Sequence, residues 1–202
     1  MKLKRLFLAK RLFLTGFLTF LIFSITACAS SKFDIPIPGK KQAQISNIYI
    51  EYLNIADIYF DLKKYDKAES YYLAAMDNKE IYWNAYYKLA KCYVYEAKWD
   101  QAQKSYEVLL NRDPENITIQ SSLAYIYAMK GDFEKAITSY SQLVEKSPED
   151  SELLENYICI LLATEKKEEA ASQYELLKEK FPASKRLEEL SKSFESTEEK
   201  ED

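Results

Sequence analysis

Two carboxylates one helical turn apart, Asp57 and Asp61, and three cysteines, Cys28, Cys92 and Cys159, are the groups whose type and spacing could do chemistry. The carboxylate pair could share a proton or a metal ion. No third ligand stands near it, so a solvated helix face is expected there. The chain has no histidine, which removes the commonest general base and the commonest metal ligand. Neither a glycine-rich phosphate loop nor paired-cysteine zinc spacing is present. The expectation is a protein that is not an enzyme, with no catalytic residues, no metal and no cofactor.

Cys28 differs from the other cysteines in what precedes it. The first 27 residues hold Lys2, Lys4, Arg5, Lys10 and Arg11, no acid, and an apolar run from Leu12 to Ala27. This is the three-part layout of a secretory signal peptide. The run is shorter than the roughly 20 residues of a spanning helix, which leaves an uncleaved anchor as the alternative. Ile25, Thr26, Ala27 and Cys28 resemble a bacterial lipobox. That resemblance implies cleavage before Cys28, lipid on its sulfur and an acylated new N-terminus; an ordinary signal peptide with a chance cysteine is the other reading. Ala29 is not the aspartate that holds some lipoproteins at the inner membrane, so a periplasm-facing outer-membrane position in the bacterial cell envelope is expected.

The first 27 residues carry five of the 28 basic residues and none of the 32 acidic ones, which leaves 23 against 32 and a net charge of −9. Nucleic acid needs clustered Lys and Arg and is excluded as a partner. Membrane contact would come from acyl chains, at about 0.8 kcal/mol per buried methylene. Residues 28–44 contain Pro36, Pro38 and Gly39 and read as a lipidated N-terminus and flexible tether. An extended chain of that length spans at most about 50 Å. Glycine and proline number only 3 and 5 in all, which favours helix throughout the rest.

The elements that would position any site come from a repeat. "LAKCYVYEAKWDQAQKSY" from Leu89 aligns with "LAYIYAMKGDFEKAITSY" from Leu123 at a step of 34, with weaker copies from Ile55 and Tyr157. The pattern resembles the tetratricopeptide repeat, a helix-turn-helix unit of that length. The expected fold is all-α: a solenoid of four repeats over 45–184 (49–82, 83–116, 117–150 and 151–184), a capping helix at 184–196 and a charged tail at 197–202. Ala56, Ala90 and Ala124 on first helices and Ala68, Ala102, Ala136 and Ala170 on second helices would let backbones approach within about 8 to 10 Å. Tyr59, Tyr93 and Tyr127 on first helices, with Tyr72, Tyr106, Tyr140 and Tyr174 on second helices, are expected as core knobs. Tyr65, Trp99 and Phe133 would open each second helix as plugs over the turn. In "RDPEN" and "KSPED", Asp113 and Ser147 read as N-caps before a proline at the first helical position. Glu80 stands where the first boundary should have proline, and Leu161 where other units have tyrosine.

Cys92 and Cys159 fall on first helices two units apart, about 16 to 20 Å, beyond the roughly 7 Å that a disulfide allows. Both are expected as small apolar groups, Cys92 in the core and Cys159 near the inner face.

The family resemblance implies that first helices line a concave groove. Carried over by position, unit one contributes Asn54, Asp57, Phe60 and Asp61, and unit two Asn84, Tyr87, Lys88, Lys91 and Tyr95. Unit three contributes Ser122, Tyr125 and Met129; unit four, Glu155, Asn156 and Cys159. Tyr87, Tyr95 and Tyr125 are not required by the repeat framework and suit a protein or peptide partner. The lysine and asparagine pattern that clamps a C-terminal carboxylate in some family members is not reproduced. The expected function is a lipid-anchored scaffold or adaptor that binds envelope proteins. It is similar to tetratricopeptide lipoproteins of pilus assembly, outer-membrane protein insertion, wall-enzyme recruitment or solute uptake. An accessory subunit of a solute-transport system, holding a small or apolar ligand, is the alternative. The sequence leaves the oligomeric state and the partner's identity open.

Overall fold

The computed structural model describes residues 40–198. The expected leader (1–27), the lipidation site at Cys28, the tether up to Gly39 and residues 199–202 lie outside the described residues. Among those described, nine helices follow one another and no strand occurs: α1 Lys40–Asp61, α2 Tyr65–Ala75, α3 Tyr82–Tyr95, α4 Trp99–Arg112, α5 Ile117–Met129, α6 Phe133–Lys146, α7 Ser151–Ala163, α8 Lys167–Lys180 and α9 Leu187–Glu198. α1 begins inside the segment expected as tether. The good helix formers Lys40, Lys41, Gln42, Ala43 and Gln44 follow Gly39 at once and extend the helix backwards.

The turn within each repeat recurs at the 34-residue step. Lys63, Ala97, Gly131 and Glu165 adopt φ of 57°, 54°, 82° and 59°. The next residue's N–H then reaches back to the carbonyls of Tyr59, Tyr93, Tyr127 and Leu161 at 2.9, 2.8, 2.9 and 2.9 Å. This six-residue closure satisfies a helix-end carbonyl and reverses the chain.

The starts of α5 and α7 correct the expected caps. Asn116 accepts from the N–H of Ile119 at 3.2 Å, and Asp150 accepts from those of Glu152 and Leu153 at 3.0 and 3.3 Å. Asp113 and Ser147 instead terminate α4 and α6. The residue before a proline is pushed out of the helical region, so Pro114 and Pro148 end the earlier helix and leave capping to the next polar residue. At the first boundary, without that proline, α2 has 11 residues where α4 has 14.

The principal contacts run between consecutive helices, and α9 closes the series on α8 and α7. Ala56, Ala68, Ala90, Ala102, Ala124, Ala136 and Ala170 are fully buried. Tyr72, Tyr106 and Tyr140 of the second helices are the buried knobs, at 1%, 2% and 2% exposure. The first-helix tyrosines are only half-buried, which corrects their assignment to the core. They lie at the turn end, and Lys67, Lys98 and Lys135 cover the rings of Tyr59, Tyr93 and Tyr127 at 5.5, 5.8 and 5.3 Å. Leu161 is fully buried in its tyrosine position. α9 buries Leu190 and sets Phe194 against Tyr174 at 5.3 Å, while Glu188 and Lys192 pair on its exposed face.

Candidate functional site

α1, α3, α5 and α7 carry the groove residues, and two adjoining cavities lie along them. The first, about 390 Å³, lies between units one and two and is lined by Asp57, Asp61, Asn84, Tyr87, Lys88 and Lys91, with Phe60 and Tyr72. The second, about 480 Å³, extends across units two to four and shares Tyr87 and Lys91 with the first. Tyr95, Ser122, Tyr125 and Asn156 are among its walls. Asn54 and Met129, expected in the groove, are exposed and line neither cavity.

Asp57 is more than a solvated carboxylate. It accepts from the Tyr72 hydroxyl at 2.6 Å and from the Lys88 ammonium at 2.7 and 2.6 Å. Burial first, and the Asp57 hydrogen bond second, push the Tyr72 phenol well above its ordinary value. Lys88 and Asp57 thus spend their charges on each other. Lys91 instead lies over the Phe60 ring at 5.1 Å.

Two rings are exposed yet fixed. Tyr95 stacks on Tyr65 at 5.0 Å and meets Phe60 edge-on at 5.2 Å, while 57% of it remains exposed. Tyr125 packs edge-on against Trp99 at 6.2 Å and is 44% exposed. The aromatics that open the second helices of units one and two, Tyr65 and Trp99, therefore each support a groove tyrosine of the following unit. Ring pairs of this kind contribute about 0.5–1.5 kcal/mol beyond area burial.

The sequence reading missed the floor. Tyr106 and Tyr140 also line the second cavity, beside Ser122 and Ser121. Burial pushes the Tyr106 phenol up to about 12, against the pull of the Ser122 hydrogen bond. The signal was the 34-residue recurrence of Tyr72, Tyr106 and Tyr140, read as packing alone. The rings pack, and their hydroxyls supply polar points on an otherwise aromatic floor.

Unit four is occupied from within. Arg186, in the turn before α9, donates to Asn156 Oδ1 at 3.3 Å and to Cys159 Sγ at 3.0 Å, and lies 3.7 Å from Glu155 Oε2. Ser184 Oγ donates to Glu155 Oε1 at 2.6 Å. Glu155 is buried at 8% exposure, so it and Cys159 are not open groove residues. The capping segment follows the repeats directly and folds its one arginine back onto their polar inner positions. Cys92 and Cys159 are free thiols, and burial raises both. Among the described residues no three His, Cys, Asp or Glu groups gather where a metal ion could sit.

Family models for the tetratricopeptide repeat match residues 87–151 and 130–185, and a further one matches 52–81. No curated protein matches. Among solved structures, a tetratricopeptide repeat protein from Parabacteroides merdae is 23% identical with a TM-score of 0.61, over 73% of this chain and 59% of that one. The chain thus spans about three fifths of that protein. YrrB, described as having an unusual peptide-binding site, is 20% identical with a TM-score of 0.56, over 79% and 83% of the two chains. MamA from Desulfovibrio magneticus is 14% identical with a TM-score of 0.61, over 68% and 77%. At such identities the likeness concerns the fold.

Proposed function

From a chain that belongs to the tetratricopeptide repeat family, we propose a non-enzymatic scaffold that holds an extended segment of another envelope protein in the groove of units one to three. Lipid on Cys28 would anchor it, with outer-membrane placement following from Ala29. The observation that carries the binding reading is the pair of exposed rings, Tyr95 and Tyr125, already immobilised by Phe60, Tyr65 and Trp99. Ordering a side chain at an interface costs about 0.5–1.5 kcal/mol, and here that cost falls on folding. YrrB's peptide-binding site is a precedent on the same fold. With Lys88 and Asp57 neutralising each other, Lys91 is the cationic point of the groove and Asp61, Asp150 and Glu152 are its acidic ones.

Crosslinking in intact cells followed by mass spectrometry identifies the partner. Tyr95→Ala and Tyr125→Ala should each weaken its binding by about 2 kcal/mol, roughly 30-fold, while the loss of their ring pairs lowers the melting temperature by only a few degrees. Lys91→Ala should mainly slow association and reduce its salt dependence. Wild-type affinity in both tyrosine variants, with losses from the outer helices instead, would move the interface to the other face. The anchor has its own test. Cys28→Ala should leave an unprocessed precursor that incorporates no labelled fatty acid, and persistent label would end the lipobox reading.

A further inference from the structure

The first helix of the array presents the face that every later unit buries. In units two to four the positions Ala85, Leu89 and Cys92, then Ile119, Leu123 and Ile126, then Leu153, Tyr157 and Ile160 pack on the second helix of the preceding unit, and all are buried. The same positions on α1 are Glu51, Ile55 and Ile58, and Ile58 is 59% exposed where Cys92 and Ile126 are 0%. The stripe is longer than stacking needs. Ile48 and Leu62, at 49% and 58% exposure, extend it where the later units hold Tyr82, Asn116 and Asp150, and Glu96, Lys130 and Thr164. Ile48, Ile55, Ile58 and Leu62 fall on the three- and four-residue spacing of a helix-pairing seam. An end of a solenoid is ordinarily polar on its outer face. α9 meets that condition with Glu188, Glu189 and Lys192, and α1 does not.

We infer that α1 is the contact surface for a second copy of this chain, α1 packed antiparallel on α1 about a two-fold axis near Ile55. The repeat equivalence identifies the missing neighbour as a helix. Within residues 28–39, Pro36, Pro38 and Gly39 disfavour a helix that could serve as that neighbour. Head-to-tail stacking is blocked because α9 occupies the other end. An isologous pair covers both stripes in one contact and closes on itself. In that register Ile48 of one copy meets Leu62 of the other, and Glu51 lies within about one turn of the opposite Lys63, giving the single acid of the stripe a cation. The inference is independent of what the groove binds. Of the proposed function it uses only removal of residues 1–27.

The test uses the processed full chain, crosslinked in membranes and then extracted in non-ionic detergent for sedimentation. Ile55→Cys should give, on mild oxidation in membranes, a disulfide-linked species of two identical chains, and Val108→Cys on the outer side of α4 should not. The extracted wild type should sediment at twice the chain mass at micromolar concentration. Ile58→Glu should weaken that association at least tenfold while helicity and melting persist, because Ile58 is exposed within one copy. A single-chain wild type, a dimer indifferent to Ile58→Glu, or an Ile55→Cys adduct to a different protein would each overturn the inference. The last result is expected if a foreign helix covers α1.

Discussion

At Lys63, Ala97 and Glu165 the backbone occupies a left-handed region that a side chain disfavours, and only Gly131 fits its turn without that cost. Ala97→Gly should therefore raise stability by about 0.5–1 kcal/mol, after the extra entropy of glycine in the unfolded chain is subtracted. Gly131→Ala should lower it by about 1 kcal/mol, entirely through the backbone, since nothing lies within 4 Å of the added methyl. Denaturant midpoints measure both. If neither moves, the turn geometry is wrong. Arg186 is the other residue with a separable role. Arg186→Ala leaves Glu155 buried with Ser184 as its remaining partner and should cost about 2 kcal/mol. Adding Glu155→Gln should recover part of that loss, and a double variant no better than the single would dismiss the charge as the cause. The turn glycine was legible in the sequence. Its three strained equivalents were not, because lysine, alanine and glutamate carry no sign of φ.

Between helices, the 34-residue step and the alanine positions were legible because close approach of two backbones admits few residue types. Which tyrosines are buried was not, since burial depends on where a lysine from the following helix comes to rest. Tyr106→Ala should cost about 3–5 kcal/mol, whereas Tyr93→Ala and Tyr127→Ala, half-buried beneath lysine ammonium groups, should cost about 1–2 kcal/mol. Equal losses in thermal or chemical unfolding would restore the first-helix tyrosines to the core. The groove was legible in part. Tyr87, Lys91, Tyr95 and Tyr125 line the cavities, but the occlusion of unit four by Arg186 needed the path of the capping segment, which no pattern within the repeat specifies.

Across the array, buried phenols make stability depend on alkaline pH. Burial raises Tyr106 and Tyr157 from 10.0 to about 12 and pushes Tyr72 and Tyr140 higher still. A folded-state value above the unfolded one means that their contribution is complete below about pH 10 and is lost as the pH rises through 12. Helicity should collapse cooperatively in that window, together with a late rise in phenolate absorbance. Helix signal intact above pH 12 with all phenols already ionised would contradict the burial of these rings. Because the principal contacts join helices adjacent in the chain, there is also, among the described residues, no distant strand or crossover to wait for. Folding can begin at any neighbouring pair and spread in both directions, in microseconds to milliseconds. A chain that emerges gradually from its amino end can settle each pair as it appears, without the residues still to come.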